Sequence, residues 1–442
     1  MSVASSAMAV DPDTLRHEQG NMTPEDRANL ILAFVRVLYV NGQATDQVLA
    51  AGEHLGESLA LRASIMPRWG ELELRTEEPD ARLISAVTAE PVGVDMDRVV
   101  STTRAIGELG AGRLAPDGAV ARIAAISQAP PAPTWLFTLA AAAGATALAV
   151  IFGVEYLAAA ALIAVSAAAG AVLRRILARY STNLFLQPFC AALLAGIIGA
   201  VAVRFELSST LRLVAVCPCM ILVPGPHVLN GALDLIAGRV HLGAARLIFA
   251  SLVVLAISTG LLLGLALLGV SLPVDQAGRV VPLWQDVIAA GVAVAAYSVF
   301  FSTPSYMLGW PVAVGMLAHA FRWGMLTVAG VGAATGALAA SLVVGTILTP
   351  VARRWHMPFA AIGFASVVSM IPGVFLFRAA SGLLQLADGS HTTLALISAT
   401  VADGMTAVTI TLAISFGLIV PKLVIDWLCE RSVLPKPLDE GK

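Results

Sequence analysis

Long apolar runs fill the chain from about residue 135 to 420, whereas the first 130 residues switch between apolar and polar positions over short distances. A helix rises 1.5 Å per residue, so an apolar run of about 20 residues crosses the roughly 30 Å hydrocarbon layer of a bilayer. The pattern predicts ten membrane helices. They are expected at 135–152, 157–173, 186–203, 213–236, 247–270, 286–302, 306–321, 326–348, 358–386 and 392–420.

The N-terminal part has the patterns of a small α+β domain. Residues 1–22 are expected to be disordered. Thr23 precedes proline and two acids, which predicts a capped helix, and Leu30, Phe34 and Leu38 fall on one of its faces. The other predicted elements are a helix capped by Thr45, strands at 71–75 and 82–87, and helices at 96–106 and 116–127.

The membrane part is organised as two similar halves. Val223-Pro224-Gly225 in the fourth predicted span and Ile371-Pro372-Gly373 in the ninth are 148 residues apart, and the other spans recur at nearly that offset. A unit of five spans is odd in number, so its second copy enters the membrane inverted. The sequence thus predicts a mostly α polytopic fold. Its expected parts are a cytoplasmic α+β domain (23–130), a first repeat (131–270), an outer linker (271–285), a second repeat (286–421) and a cytoplasmic tail (422–442).

The matched Pro-Gly pairs predict broken helices. Proline removes a backbone donor, and unpaired backbone groups in hydrocarbon are tolerated only against protein or water. A broken helix there can present its carbonyls and amides to a solute, although a packing kink is the alternative. The predicted solute site comprises Pro224, Gly225, Asn230, Pro372, Gly373, Arg378 and Thr406.

Charged residues inside the predicted spans suggest proton coupling. Asp234 and Asp403 are the candidate proton carriers, and Arg378 is expected to meet a solute carboxylate, because such charges normally face the bundle interior. The alternative places Asp234 at the inner interface and lets Arg378 reach outward to the headgroups.

Composition limits the function classes. With 58% hydrophobic and 13% charged residues, the chain has too few charges for a soluble surface, and a net charge of −2 argues against a nucleic-acid partner. We identify no catalytic motif, metal site or cofactor motif, so we expect no enzyme. Basic residues favour the predicted inner loops by ten to four, which predicts an inner-membrane protein with both termini in the cytoplasm. Lipid, protons and a small solute are the expected partners, and a homo-oligomer is compatible with the sequence.

The chain resembles the threonine/serine exporters. The resemblance rests on the N-terminal module, the five plus five helices, the stretch from Val223-Pro224-Gly225 to Arg246, and Ile371-Pro372-Gly373. It implies export of threonine and serine driven by the proton gradient. Members with separately encoded halves are associated with dicarboxylates such as succinate, which is the alternative substrate class. A passive channel and a membrane sensor are the alternatives of another class. Around Gly42 to Gln47 the chain departs from the family pattern.

Overall fold

The computed structural model describes residues 22–76, 84–154, 156–207, 212–272, 281–355, 357–389 and 393–433, with side chains described as far as residue 429. Within it the chain forms two compact units. One contains the residues up to Pro131 together with Asn230–Leu247, and the other contains Ala132–Leu229 and the chain from Ile248 onward. The segment expected to be disordered, apart from Met22, lies outside the described residues.

In the described part of the first unit, four helices precede residue 130. They are α1 Pro24–Val40, α2 Thr45–Ser58, α3 Met96–Gly110 and α4 Pro116–Gln128. The predicted cap of α1 is confirmed, because Thr23 Oγ1 accepts from the Asp26 amide and Asp26 Oδ2 accepts from the Thr23 amide. The predicted cap at Thr45 is wrong. Ala44 holds the N-cap position and Thr45 is the first helical residue, so the start of α2 has no side-chain cap.

A three-stranded antiparallel sheet accompanies these helices. Its strands, in spatial order, are β1 Ala63–Arg68, β2 Gly70–Thr76 and β3 Ile84–Ala89. Leu72 and Leu74 are fully buried and alternate with Glu71 and Glu73, which is the two-residue period that predicted β2. The predicted second strand is confirmed from Ile84, and positions 82 and 83 lie outside the described residues. The sequence missed β1, since its apolar positions do not alternate.

The apolar core of this unit includes a residue from the later segment. Ile31, Phe34 and Leu38 of α1 are buried with Leu72 of β2, and Leu242 belongs to the same cluster. Residues 230–247 therefore share a hydrophobic core with the N-terminal helices, although they are far from them in sequence.

The second unit is helical. Together with the segment shared with the first unit, its helices are α5 Thr134–Ile151, α6 Leu157–Tyr180, α7 Leu186–Arg204, α8 Leu213–Met220, α9 Gly225–Ile236, α10 Val240–Ala266, α11 Leu283–Phe300, α12 Gly309–Thr327, α13 Ala333–Trp355, α14 Phe359–Val367, α15 Gly373–Asp388 and α16 Leu394–Val433. Among the described residues, seven helices are long and apolar enough to cross a membrane, or up to nine if each bent pair forms one span. This confirms a mostly helical, multi-pass membrane protein with a small α+β N-terminal part.

The order of helices in α5–α10 recurs in α11–α16. In each series, the fourth and fifth helices form a bent pair, by 50° between α8 and α9 and by 64° between α14 and α15, where a short 3-10 turn, Val368–Met370, ends the first part. The predicted short span 306–321 corresponds to α12. Apart from the two helices of the bent pair, α12 is the helix of its series that is not apolar enough over its length to count as a membrane span. The inverted relation of the two halves stays a prediction.

Candidate functional site

Both Pro-Gly positions are breaks between two helices. α8 ends at Met220 and α9 begins at Gly225, while α15 begins at Gly373 directly after Pro372. A break leaves carbonyls without helical partners, and such groups require another donor when they are buried. The Tyr297 hydroxyl donates to the Met220 carbonyl at 2.8 Å, so a side chain of α11 satisfies the end of α8.

The two broken pairs contact each other reciprocally. A Cβ at Gly225 would overlap the ring of Phe364 in α14, and a Cβ at Gly373 would lie 2.8 Å from Met220 Cγ in α8. The glycine after each break therefore packs against the first helix of the other broken pair. The structure brings Gly225 and Gly373 together with these partners because neither has a side chain.

Arg378 and Asp403 form an ion pair between α15 and α16. Arg378 Nε lies 3.0 Å from Asp403 Oδ2, and the two side chains are 12% and 8% exposed. Thr406 and Ile410 follow Asp403 at helical spacing on the same face of α16. The residues predicted to bind a carboxylate and to carry a proton are thus direct partners, which the sequence did not indicate.

Asn230 and Asp234 belong to the first unit. Asn230 Nδ2 donates to the Gly42 carbonyl at 3.1 Å. Asp234 forms ion pairs with Arg246 at 3.0 Å and with Arg239 at 3.3 Å, and Asp234 and Arg246 are each only 1% exposed. Of the predicted site, these two residues are placed in one unit, and Pro224, Gly225, Pro372, Gly373, Arg378, Asp403 and Thr406 in the other.

The stretch from Gly42 to Gln47 contacts residues that are far from it in sequence. Asp46 pairs with Arg239, which also reaches Asp234, and Gly42 has a positive φ of 92°. Near it, the guanidinium of Arg246 lies 5.4 Å from the ring centroid of Tyr39. Burial raises the pKa of Tyr39 to about 12, against the opposing field of Arg246. This part of the chain belongs to a charge network within one unit, which is buried at Asp234 and Arg246 and exposed at Asp46.

Sequence reasoning missed a second polar cluster, in the second unit. His319 Nδ1 lies 2.9 Å from Asp286 Oδ2, and His319 Nε2 is hydrogen-bonded to Ser369 Oγ. All three side chains are at least nine-tenths buried. His319 inside the predicted span 306–321, with Arg322 directly after it, was a usable signal, since ionisable residues at membrane depth are costly. Among the described residues, no group of histidine, cysteine, aspartate and glutamate side chains could hold a metal ion.

Two family models match the chain, and the gap between their matches falls at the junction of the two series of helices, between α10 and α11. A family model described as a putative threonine/serine exporter matches residues 29–268, and a second, described as threonine/serine exporter ThrE, matches residues 286–424. The chain belongs to the threonine/serine exporter family. One relative of this exporter is a probable threonine/serine exporter from Mycobacterium tuberculosis, 24% identical over 400 residues that cover 84% of this chain and 75% of the relative. No solved structure matches.

Family membership confirms the resemblance drawn from the sequence. The family is one of transporters rather than enzymes, and it supports an amino-acid exporter with several membrane helices, a small-molecule solute and a bilayer around it.

Proposed function

We propose that this member of the threonine/serine exporter family moves threonine and serine out of the cell in exchange for protons. One observation carries the proposal beyond family membership, namely the reciprocal packing of the two broken helix pairs through Gly225 and Gly373. Transporters with broken helices hold their solute where such half-helices meet, because exposed backbone dipoles and carbonyls are available there. Each series of helices contains one break, and each break lies within the match of a different family model.

Arg378 is proposed to receive the solute carboxylate. Guanidinium groups bind carboxylates through two parallel hydrogen bonds, and Arg378 lies five residues after Gly373, just over one turn into α15. In the structure its partner is the carboxylate of Asp403. A zwitterionic solute can therefore insert between the two, with its carboxylate on Arg378 and its ammonium on the ionised Asp403, and with Thr406 as a hydroxyl partner one turn further along α16.

Competition at Asp403 couples the solute to protons. The solute ammonium and a proton compete for the same ionised carboxylate, so the site carries either the solute or a proton, which gives exchange. Each ligand thus lowers the affinity of the site for the other, and this difference in affinity is the coupling. Asp234 is a second proposed proton carrier, but it already balances Arg246 and Arg239. Asn230 is proposed to contribute to the solute path from α9.

The proposed topology places the protein in the inner membrane, with both termini in the cytoplasm and the two halves inverted. The domain division given by the sequence and a homo-oligomeric state belong to the same proposal.

The decisive experiment measures flux in vesicles that contain the purified full chain. Labelled threonine, serine and succinate are each tested with and without a proton gradient. Saturable movement of threonine and serine that accelerates with the gradient is expected. Gradient-independent, non-saturating flux would indicate a channel, preference for succinate would indicate a dicarboxylate exporter, and no flux at all would overturn transport.

A further inference from the structure

A cavity of about 360 Å³ lies beside the second break. Ser369, Ile371 and Pro372 of the break line it, and Phe375 follows them on the first turn of α15. Its volume falls within the range of small-molecule sites, about 300–1,000 Å³. The cavity is therefore large enough for a small solute and opens where the backbone of the broken span is interrupted.

Two opposite charges line this cavity. Arg322 of α12 contributes a guanidinium, and Asp286 of α11 contributes a carboxylate. Arg322 Nε is buried and has no hydrogen-bond partner among the described residues, although a buried guanidinium donor normally has one. A group with a negative charge would satisfy it.

A contact with His319 holds the Asp286 carboxylate in place. His319 lies 2.9 Å from its Oδ2 atom and is itself hydrogen-bonded to Ser369, which also lines the cavity. A carboxylate has a second oxygen that can accept from an ammonium group. His319 is thus a positioning residue that fixes Asp286 and the Ser369 hydroxyl on opposite sides of one imidazole. Arg322 lies on the same helix as His319 and lines the cavity with Asp286 and Ser369.

The first half of the chain has the arginine but lacks the other groups. The position 148 residues before Arg322 is Arg174, which lines a cavity of only about 20 Å³ together with Ile221. Thr138, Ala171 and Ile221 are the residues 148 positions before Asp286, His319 and Ser369. The negative charge and the imidazole therefore occur in the second half alone of these paired positions, together with the larger space, and the hydroxyl of Ser369 is replaced by the apolar side chain of Ile221.

We propose that this cavity binds the head group of a zwitterionic amino acid, with Arg322 on the carboxylate and Asp286 on the ammonium. Ser369 and the start of α15 complete the site. The inference rests on the proposed export function and adds a second solute-binding site to it. The two sites are neighbours on α15, because Arg378 lies only three residues beyond Phe375. A dicarboxylate fits the site poorly because Asp286 would repel its second charge.

The test uses the full chain in proteoliposomes and two threonine analogues. Threonine methyl ester lacks the carboxylate charge, and N-acetylthreonine lacks the ammonium. The wild-type protein is expected to be inhibited weakly by both. Arg322→Gln should raise the half-saturation concentration for threonine about 10- to 100-fold and abolish discrimination against the ester. Asp286→Asn should do the same for N-acetylthreonine only. Exposed Arg204→Gln and Asp117→Asn are the matched controls.

A labelling experiment covers variants that fold poorly. In a background with Cys190→Ser and Cys429→Ser, Ser369→Cys is exposed to a small thiol reagent. Threonine should slow the labelling and N-acetylthreonine should not. Unchanged half-saturation and unchanged analogue selectivity in both charge variants, or labelling indifferent to threonine, would overturn the cavity site. Wild-type vesicles that move neither threonine nor serine would instead overturn the export function, and labelling would still report on the cavity.

Discussion

The Nε atom of Arg378 lies 3.0 Å from Oδ2 of Asp403, which joins the helix after the second break to the last helix of the chain. The pair is largely excluded from solvent, so neither charge can lose its partner without a substitute. A solute carboxylate at Arg378, and either a solute ammonium or a proton at Asp403, are such substitutes. The geometry therefore makes the ion pair the place to examine coupling.

Asp403→Asn should make export independent of the proton gradient. An amide keeps the size of the side chain and can still contact Arg378, but it cannot carry a proton at neutral pH. Threonine efflux from proteoliposomes is measured at several pH gradients, with exposed Asp97→Asn as the control. Efflux of the Asp403→Asn variant that still follows the gradient would remove Asp403 from the coupling step.

Removal of one member of the Asp234–Arg246 pair should destabilise the first unit. Both side chains are 1% exposed, and breaking a buried ion pair typically costs about 3–5 kcal/mol, because one charge is left unpaired. Asp234→Ala and Arg246→Ala should each accelerate hydrogen exchange in α1 and α2 of the full chain. The double replacement Asp234→Leu with Arg246→Met should cost less than either single change.

A further variant, Asp234→Asn, examines the proposed proton-carrying role of Asp234. If Asp234→Asn retains the gradient dependence of efflux while α1 and α2 exchange faster, its role is structural. Loss of the gradient dependence without faster exchange would support the coupling role.

The glycines at the two breaks should not tolerate a methyl group. Gly225→Ala would drive its Cβ into the ring of Phe364, and Gly373→Ala would press on Met220. Both variants should lose transport, with the larger loss of folded protein for Gly225→Ala, and Phe364→Ala should partly restore that variant. Folded yield by size-exclusion chromatography and threonine flux are the measurements.

Gly309→Ala and Gly324→Ala are the controls, because a Cβ at either position meets no atom within 4 Å. Alanine has a higher helix propensity than glycine, so the two controls should not lose folded protein. Equal losses at all four glycines would contradict the close approach of the broken pairs as the cause.

Acid should loosen the start of α1. Hydrogen bonds from Thr23 hold the pKa of Asp26 below its ordinary value of 3.8. A carboxyl group with a lowered folded pKa contributes stability that is complete above its ordinary pKa and is lost as the pH falls through the folded value. Asp26→Asn should therefore speed amide exchange in α1 several-fold at pH 6 and match the wild type in strong acid. Glu25→Gln, in the same turn, should have little effect.

Sequence patterns predicted most of the architecture, because spans and caps are local properties. All ten predicted apolar segments correspond to helices or broken helices, and the cap at Thr23 and strand β2 follow from spacing alone. β1 was missed, since Ile65 and Met66 are adjacent and give no alternation. The break after Met220 was visible in Pro224 because proline acts on its own backbone.

The partners of the site residues could not be obtained in this way. Arg378 and Asp403 are 25 residues apart, and Asn230 reaches Gly42 across 188 residues of sequence. Such contacts depend on how helices pack, which no periodicity encodes. The cluster around His319 was missed for the same reason, because its two partners, Asp286 and Ser369, lie in other elements of the fold.

The unequal chemistry of the paired positions implies a division of labour within the chain. Asn230, Asp234, Arg239 and Arg246 of the first half secure the N-terminal helices. In the second half, Asp286 and Ser369 line the larger cavity and are both bonded to His319. Saturation mutagenesis should therefore produce two different profiles. Damage in the first half should lower the amount of protein, and damage in the second should change which molecules it accepts.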